Sequence, residues 1–203
     1  MKAVFRALPA ILAVVAASCT SGPAVPDDAA YVAEISEWRA ERDRVFREEP
    51  DPIPADKRDL LLPLRYYPPD PNYSVPAVLR LSDDRPVSEM PTSAGLLRRM
   101  QRVGILEFTL NGQALTLGAF VDAGTQRIES LFVPFADATT GKETYASGRY
   151  LDLHRTPTGI YTIDFNRAYN PFCAYNEKFD CPYPPPSNRL DVAVRAGEKA
   201  PGA

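Results

Sequence analysis

Residues 105–117 read ILEFTLNGQALTL. Leu106, Phe108 and Leu110 alternate with polar residues, Asn111-Gly112 follows, and Leu115 and Leu117 resume the alternation. A period of two gives each run one apolar face. Asn-Gly supplies the two positive φ angles of a type I′ turn, so the stretch predicts an antiparallel hairpin. Outward from it, strands are predicted at 77–81, 128–135, 143–153, 159–166 and 190–196. Their connections are too short for crossover helices, which makes the sheet antiparallel. The expected fold is mainly β: an antiparallel β-sandwich or partly closed barrel with one N-terminal α-helix. Proline fits that reading, since 21 in 203 residues is about twice the usual ~5% and favours loops, turns and sheet edges.

The chain begins MKAVFRALPAILAVVAASC. Lys2 and Arg6 precede an apolar run from Ala7 to Ala17, the pattern of a signal peptide over 1–18. The run is too short for a stable transmembrane helix. Ala16-Ala17-Ser18 before Cys19 resembles a bacterial lipobox, with Ala16 where leucine is usual. This makes Cys19 the expected lipid attachment site and 19–27 a tether. The expected location is the extracytoplasmic cell envelope, with the outer membrane favoured in a host with two, because Thr20 follows the cysteine where a retention aspartate would stand. Residues 28–203 then form a single domain that opens with a helix over 28–48, capped by Asp27 or Asp28 and stopped by Pro50, Pro52 and Pro54. Tyr31, Ile35, Trp38, Val45 and Phe46 form its apolar stripe, facing either the domain itself or a partner. Arg39, Glu41, Arg42, Asp43 and Arg44 are expected in solvent.

A formal net charge of −3, or −5 once Lys2 and Arg6 are removed, argues against a nucleic-acid partner. With Cys19 lipidated, Cys173 and Cys181 remain as an even pair in an oxidising compartment, expected as a disulfide. Its 9-residue ring would contribute about 2.5 kcal/mol through loop entropy. Seven intervening residues do not match a structural zinc knuckle, and His154 is the sole histidine. No metal or other cofactor is expected.

Three blocks stand out: PFADATTGKETYASGRYLDL (134–153), IDFNRAYNPFCAYNEKFDCPYPPPSNRL (163–190) and AGEK (196–199). Together with Trp38, Arg39 and Arg42 they resemble the bacterial domain-of-unknown-function 1684 family across nearly the whole mature chain. The resemblance implies one structural module and no particular activity. Read as a strand, 143–153 puts Glu143, Tyr145 and Arg149 on one face, where they would meet Asp164 and Asn166 of the next strand. Asn166, Tyr169, Asn170 and Tyr175 cluster around Pro171 in a loop stiffened by proline, suited to a polar ligand such as a saccharide or peptide. The pattern fits a non-catalytic binding module for such a ligand or an envelope protein. The alternative is a carboxylate-based hydrolase of an envelope saccharide or related polymer with Glu143 and Asp164 as its pair. The common catalytic and nucleotide-binding motifs do not occur in the sequence.

Overall fold

The computed structural model describes residues 28–49 and 51–202. Helix α1 spans Asp28–Glu48, with Ile35 and Phe46 buried, and α2 is a single turn over Arg58–Leu61. Seven strands follow: β1 Ser74–Leu81, β2 Val87–Pro91, β3 Leu97–Leu110, β4 Gln113–Asp122, β5 Ser130–Phe135, β6 Arg149–His154 and β7 Ile160–Asp164. They form one antiparallel sheet ordered β6-β5-β4-β3-β1-β7, with β2 also paired to β3. The fold is mainly β, a nearly closed barrel-like sheet with an N-terminal helix.

The Asn111-Gly112 hairpin joins β3 to β4 with both residues at positive φ, 50° and 77°. β3 is long because it serves two partners along one edge. Residues 97–101 pair with β2, and residues 104–108 pair with β1. The register shifts between Arg102 and Gly104, where a Cβ on Gly104 would lie 2.2 Å from the Arg80 carbonyl. The bulge thus needs glycine there. Beyond β7 the chain returns to the free edge of β6, where Tyr150 and Tyr169 exchange N–H···O bonds of 2.8 and 3.0 Å. That exchange brings the two ends of the sheet together.

Inward residues of the strands make the core, among them Leu106, Phe108, Leu117, Leu131, Val133, Leu151 and Ile163, joined by Phe165 just after β7. A second cluster packs Phe46 of α1 with Ile53, Leu62, Leu64 and Tyr175, so the apolar stripe docks on its own domain. Polar residues dock as well. Arg39 donates to the Tyr67 carbonyl, Asp43 accepts from Leu64 N–H, and Arg42 approaches Glu198. The expectation that Arg39, Arg42 and Asp43 lie in solvent is therefore corrected, because the domain offers them backbone and carboxylate partners.

Two predicted strands are also revised. Residues 143–148 are turns, and β6 starts only at Arg149, after Gly148 at φ 85°. Residues 190–196 form no strand, because side chains take their backbone groups. Val194 N–H donates to Asp137 Oδ2, while Arg149 donates to the carbonyls of Val194, Ala196 and Glu198. Arg149 and Asp137 are themselves 3.1 Å apart and 1% and 0% exposed. Gly197 allows the following turn, with φ 75° and a Cβ position only 2.5 Å from the Phe165 carbonyl.

Replacing Arg149 strands the Asp137 charge and three carbonyls together. Arg149→Met is expected to lose roughly 3–5 kcal/mol in urea unfolding; a loss under about 1 kcal/mol would show that the pair is not what holds the C-terminal segment.

Candidate functional site

Three cross-strand pairs lay out the site on the outer face of the sheet. Met100 stands opposite Asp122, Phe120 opposite Phe132, and Phe132 opposite Asp152. Leu131 and Val133 point inward on β5, and Leu151 and Leu153 do so on β6. Period two then turns Phe132, Tyr150 and Asp152 outward. Met90, Met100, Phe120 and Phe132 form a small apolar floor. The loop over 169–182 forms the opposite wall, held by the Tyr150–Tyr169 exchange and by a hydrogen bond from the Tyr150 hydroxyl to the Pro182 carbonyl.

Between floor and loop lies a cleft of about 610 Å³, within the range that holds small organic ligands. Its rings are Phe120, Phe132, Tyr150, Tyr169, Phe172 and Phe179. Phe132 meets Tyr150 edge-on at 4.7 Å, Tyr150 meets Tyr169 at 5.8 Å, and Phe172 meets Phe179 at 5.2 Å. Around them stand Asp122, Glu129, Asp152 and Asp180, with Arg98 and Arg127. The Tyr169 hydroxyl donates to Asp152 Oδ2 at 2.6 Å. Burial and the Asp152 charge push the Tyr169 pKa up, which keeps the hydroxyl protonated as a donor.

Of the residues singled out from sequence, Tyr169 and Cys181 line this cleft. Glu143 lies in a surface turn, held by Arg195 at 2.8 Å and by the Tyr67 hydroxyl at 3.0 Å. Arg149 is in the interior with Asp137. Asp164 accepts from Tyr31, and buried Asn166 donates to Tyr31, Asp164 and the Asp70 carbonyl. The expected shared face of Glu143, Tyr145, Arg149, Asp164 and Asn166 therefore does not form, because 143–148 turns away before β6 begins. Asn170 is buried, donating to the Lys199 carbonyl, and Tyr175 packs on Phe46. Asn188 accepts from Gly118 N–H and donates to the Gly118 and Pro134 carbonyls, all at 2.8 Å.

Cys173 and Cys181 are free thiols, which corrects the expected disulfide. Cys181 Sγ accepts from Cys173 N–H at 3.3 Å, and the two side chains share a hydrogen bond in place of a covalent one. That bond, with others from Ser93 and Tyr145, lowers the Cys173 pKa to about 6 against the cost of burial. The same contact pushes Cys181 up. Cys19 lies outside the described residues. Among the described residues no group of three or more His, Cys, Asp or Glu side chains could hold a metal ion, and no helix is long and apolar enough to cross a membrane.

Glu198 is 1% exposed; its Oε2 accepts from Asn170 N–H at 2.9 Å and lies 3.7 Å from Arg42. Burial raises its carboxyl pKa from about 4.5 to about 7, opposed by Arg42, Asn170 and Arg149. Tyr66, partly buried beside it, stays protonated, chiefly because burial raises its pKa.

The sequence reading missed Phe132, Asp152, Phe172 and Phe179. The signal for the first two was parity, since both alternate with core positions on their strands.

The architecture is thus a nearly closed antiparallel sheet whose outer face, with one returning loop, frames an aromatic cleft. The chain belongs to the family described as Protein of unknown function (DUF1684), which matches residues 62–199. An uncharacterized protein of Haloarcula marismortui, solved by solution NMR, is 40% identical with a TM-score of 0.67, covering 85% of this chain and 96% of that one. No curated protein matches.

Two measurements follow from the buried groups. The raised Glu198 pKa favours the folded state at acid pH, so its contribution is present below about 4.5 and lost as pH rises through about 7. Glu198→Gln should gain stability relative to wild type as pH rises across that window, by on the order of 3 kcal/mol, with a matching gain in Tm. A Tm difference that stays flat with pH would contradict the assignment. For the thiols, iodoacetamide should label Cys173 with a rate midpoint near pH 6 and Cys181 far more slowly. Equal rates with midpoints near ~8.5 would show the two to be independent.

Proposed function

We propose that this protein is a non-catalytic binding module of the cell envelope, held to a membrane by lipid on Cys19, that takes a small polar ligand in the aromatic cleft. The observation that carries this reading is the cleft itself. Its floor consists of strands fixed by the core and its wall is a loop pinned at both ends, so little ordering is needed on binding. Aromatic faces with a few fixed carboxylates suit ligands that are polar at the edge and apolar on the face. Location rests on the leader and the Ala16-Ala17-Ser18-Cys19 sequence. The hydrolase reading gains no support. Glu143 and Asp164 are engaged by separate partners, and neither lines the cleft.

An NMR titration of the full-length protein with N-acetylglucosamine, alanyl-alanine and phenethylammonium tests the cleft. At least one probe should shift resonances of β5, β6 and residues 169–182, and Phe179→Ala should weaken that probe by about tenfold. Shifts confined elsewhere, or none with any probe, would refute the reading. Mass spectrometry of protein purified from its own envelope should show a lipid adduct on Cys19, and an unmodified Cys19 would remove the anchor.

A further inference from the structure

The charges around the cleft do not cancel. Arg98 is bound in a fork to Asp122, with Nε–Oδ1 of 2.9 Å and Nη2–Oδ2 of 3.0 Å, and Arg127 pairs with Glu129. Both cations of the wall are therefore neutralised by acids of the same wall. Asp152 and Asp180 remain. Asp180 accepts from Ala94 N–H at 2.9 Å, and hydrogen bonds from Thr92 and Ala94 hold its carboxyl below the ordinary range, so it stays ionised. Asp152 is exposed, and the one hydrogen bond to its carboxylate among the described residues is the bond from Tyr169 to Oδ2. The nearby Lys178, 5.2 Å from the Phe179 ring, is paired with Asp51.

Aromatic faces attract cations through their quadrupoles, and an ionised carboxylate beside them adds a directional partner. On the reading that this cleft is the binding site, we propose that it selects organic cations, seating an ammonium on Asp152 between Phe132 and Tyr169 and the ligand's apolar body against Phe172 and Phe179. The cross-strand pairing of Phe132 with Asp152 fixes ring and carboxylate side by side. The Tyr169 bond fixes the second ring against the same carboxylate. A neutral ligand of the same shape would use the rings but leave the charge unanswered. An anionic one would meet two uncompensated carboxylates.

Three probes with one apolar body separate these cases: phenethylammonium, 2-phenylethanol and phenylacetate, each titrated into the full-length protein by NMR and calorimetry. Phenethylammonium should bind in the cleft at least about tenfold more tightly than 2-phenylethanol, with phenylacetate weakest, and the preference should shrink as salt is raised. Asp152→Asn keeps an acceptor for Tyr169, and it should reduce the preference to within about threefold, chiefly by weakening phenethylammonium. Equal binding of the amine and the alcohol in the cleft, or a preference that survives Asp152→Asn, overturns the cation inference and leaves the binding module standing. If neither these probes nor N-acetylglucosamine nor alanyl-alanine reaches the cleft, both fall.

Discussion

A single buried guanidinium organises one whole side of this domain. Arg149 opens β6 with its side chain pointing inward, over the Phe135 ring at 5.2 Å, and it meets Asp137 and three carbonyls of the C-terminal segment. Asp137 in turn accepts from Val194 N–H and from Thr139 and Thr140. A charge in this position is costly unless nearly every donor is used, and such pairs fix geometry more than they add stability. What they fix here is the course of residues 190–198, which carry Val194 and Ala196 into the core without forming a strand.

Side chains replace backbone ladders at other points in the same way. β4 and β5 share one register pair, Phe120 with Phe132, and beyond it the Asn188 amide spans from Gly118 to Pro134. Asn166 joins α1, the loop at Asp70 and the end of β7. Asn170 ties the loop after β7 to Glu198 and Lys199. The Asn188 and Asn166 amides both donate and accept, so each can satisfy two backbone groups that run out of register with each other, whereas the Asn170 amide serves as a donor. The sheet is nearly closed although β4 and β5 share a single register pair and the β6 edge is met by the isolated Tyr150–Tyr169 bridge.

This substitution explains what could be read from the chain and what could not. The helix over 28–48, the hairpin at Asn111-Gly112 and the antiparallel sheet were legible because each rests on a local period or a turn residue. The polar residues of the second half were recognisable as unusual, but partners such as the Val194 carbonyl for Arg149 and Tyr31 for Asn166 lie 45 and 135 positions away in sequence, and nothing local reveals which backbone group an asparagine will satisfy. A polar residue awaiting a ligand and one awaiting its own fold look alike in a sequence. Most of those singled out serve the fold. The cysteines differ from expectation for a related reason: even count and compartment speak to whether a disulfide can persist, while the local backbone sets how two sulfurs approach, and here they meet through a hydrogen bond.

The cleft and the buried network are two faces of one strand. On β6, Arg149 and Leu151 face the interior while Tyr150 and Asp152 face the cleft. A strand has no freedom to move one set without the other, so fixing Arg149 from within also fixes the ring and the carboxylate outside. The loop opposite is treated alike. Tyr169 lines the cleft, while the next residue, Asn170, binds Glu198 and the Lys199 carbonyl behind it. Arg42 of α1 completes the link, 3.7 Å from Glu198 and 5.0 Å from the centre of the Tyr169 ring. The polar residues that touch no cleft are therefore what give the cleft its shape, since each of its two walls is backed by a buried charge that tolerates only one arrangement of its donors and acceptors.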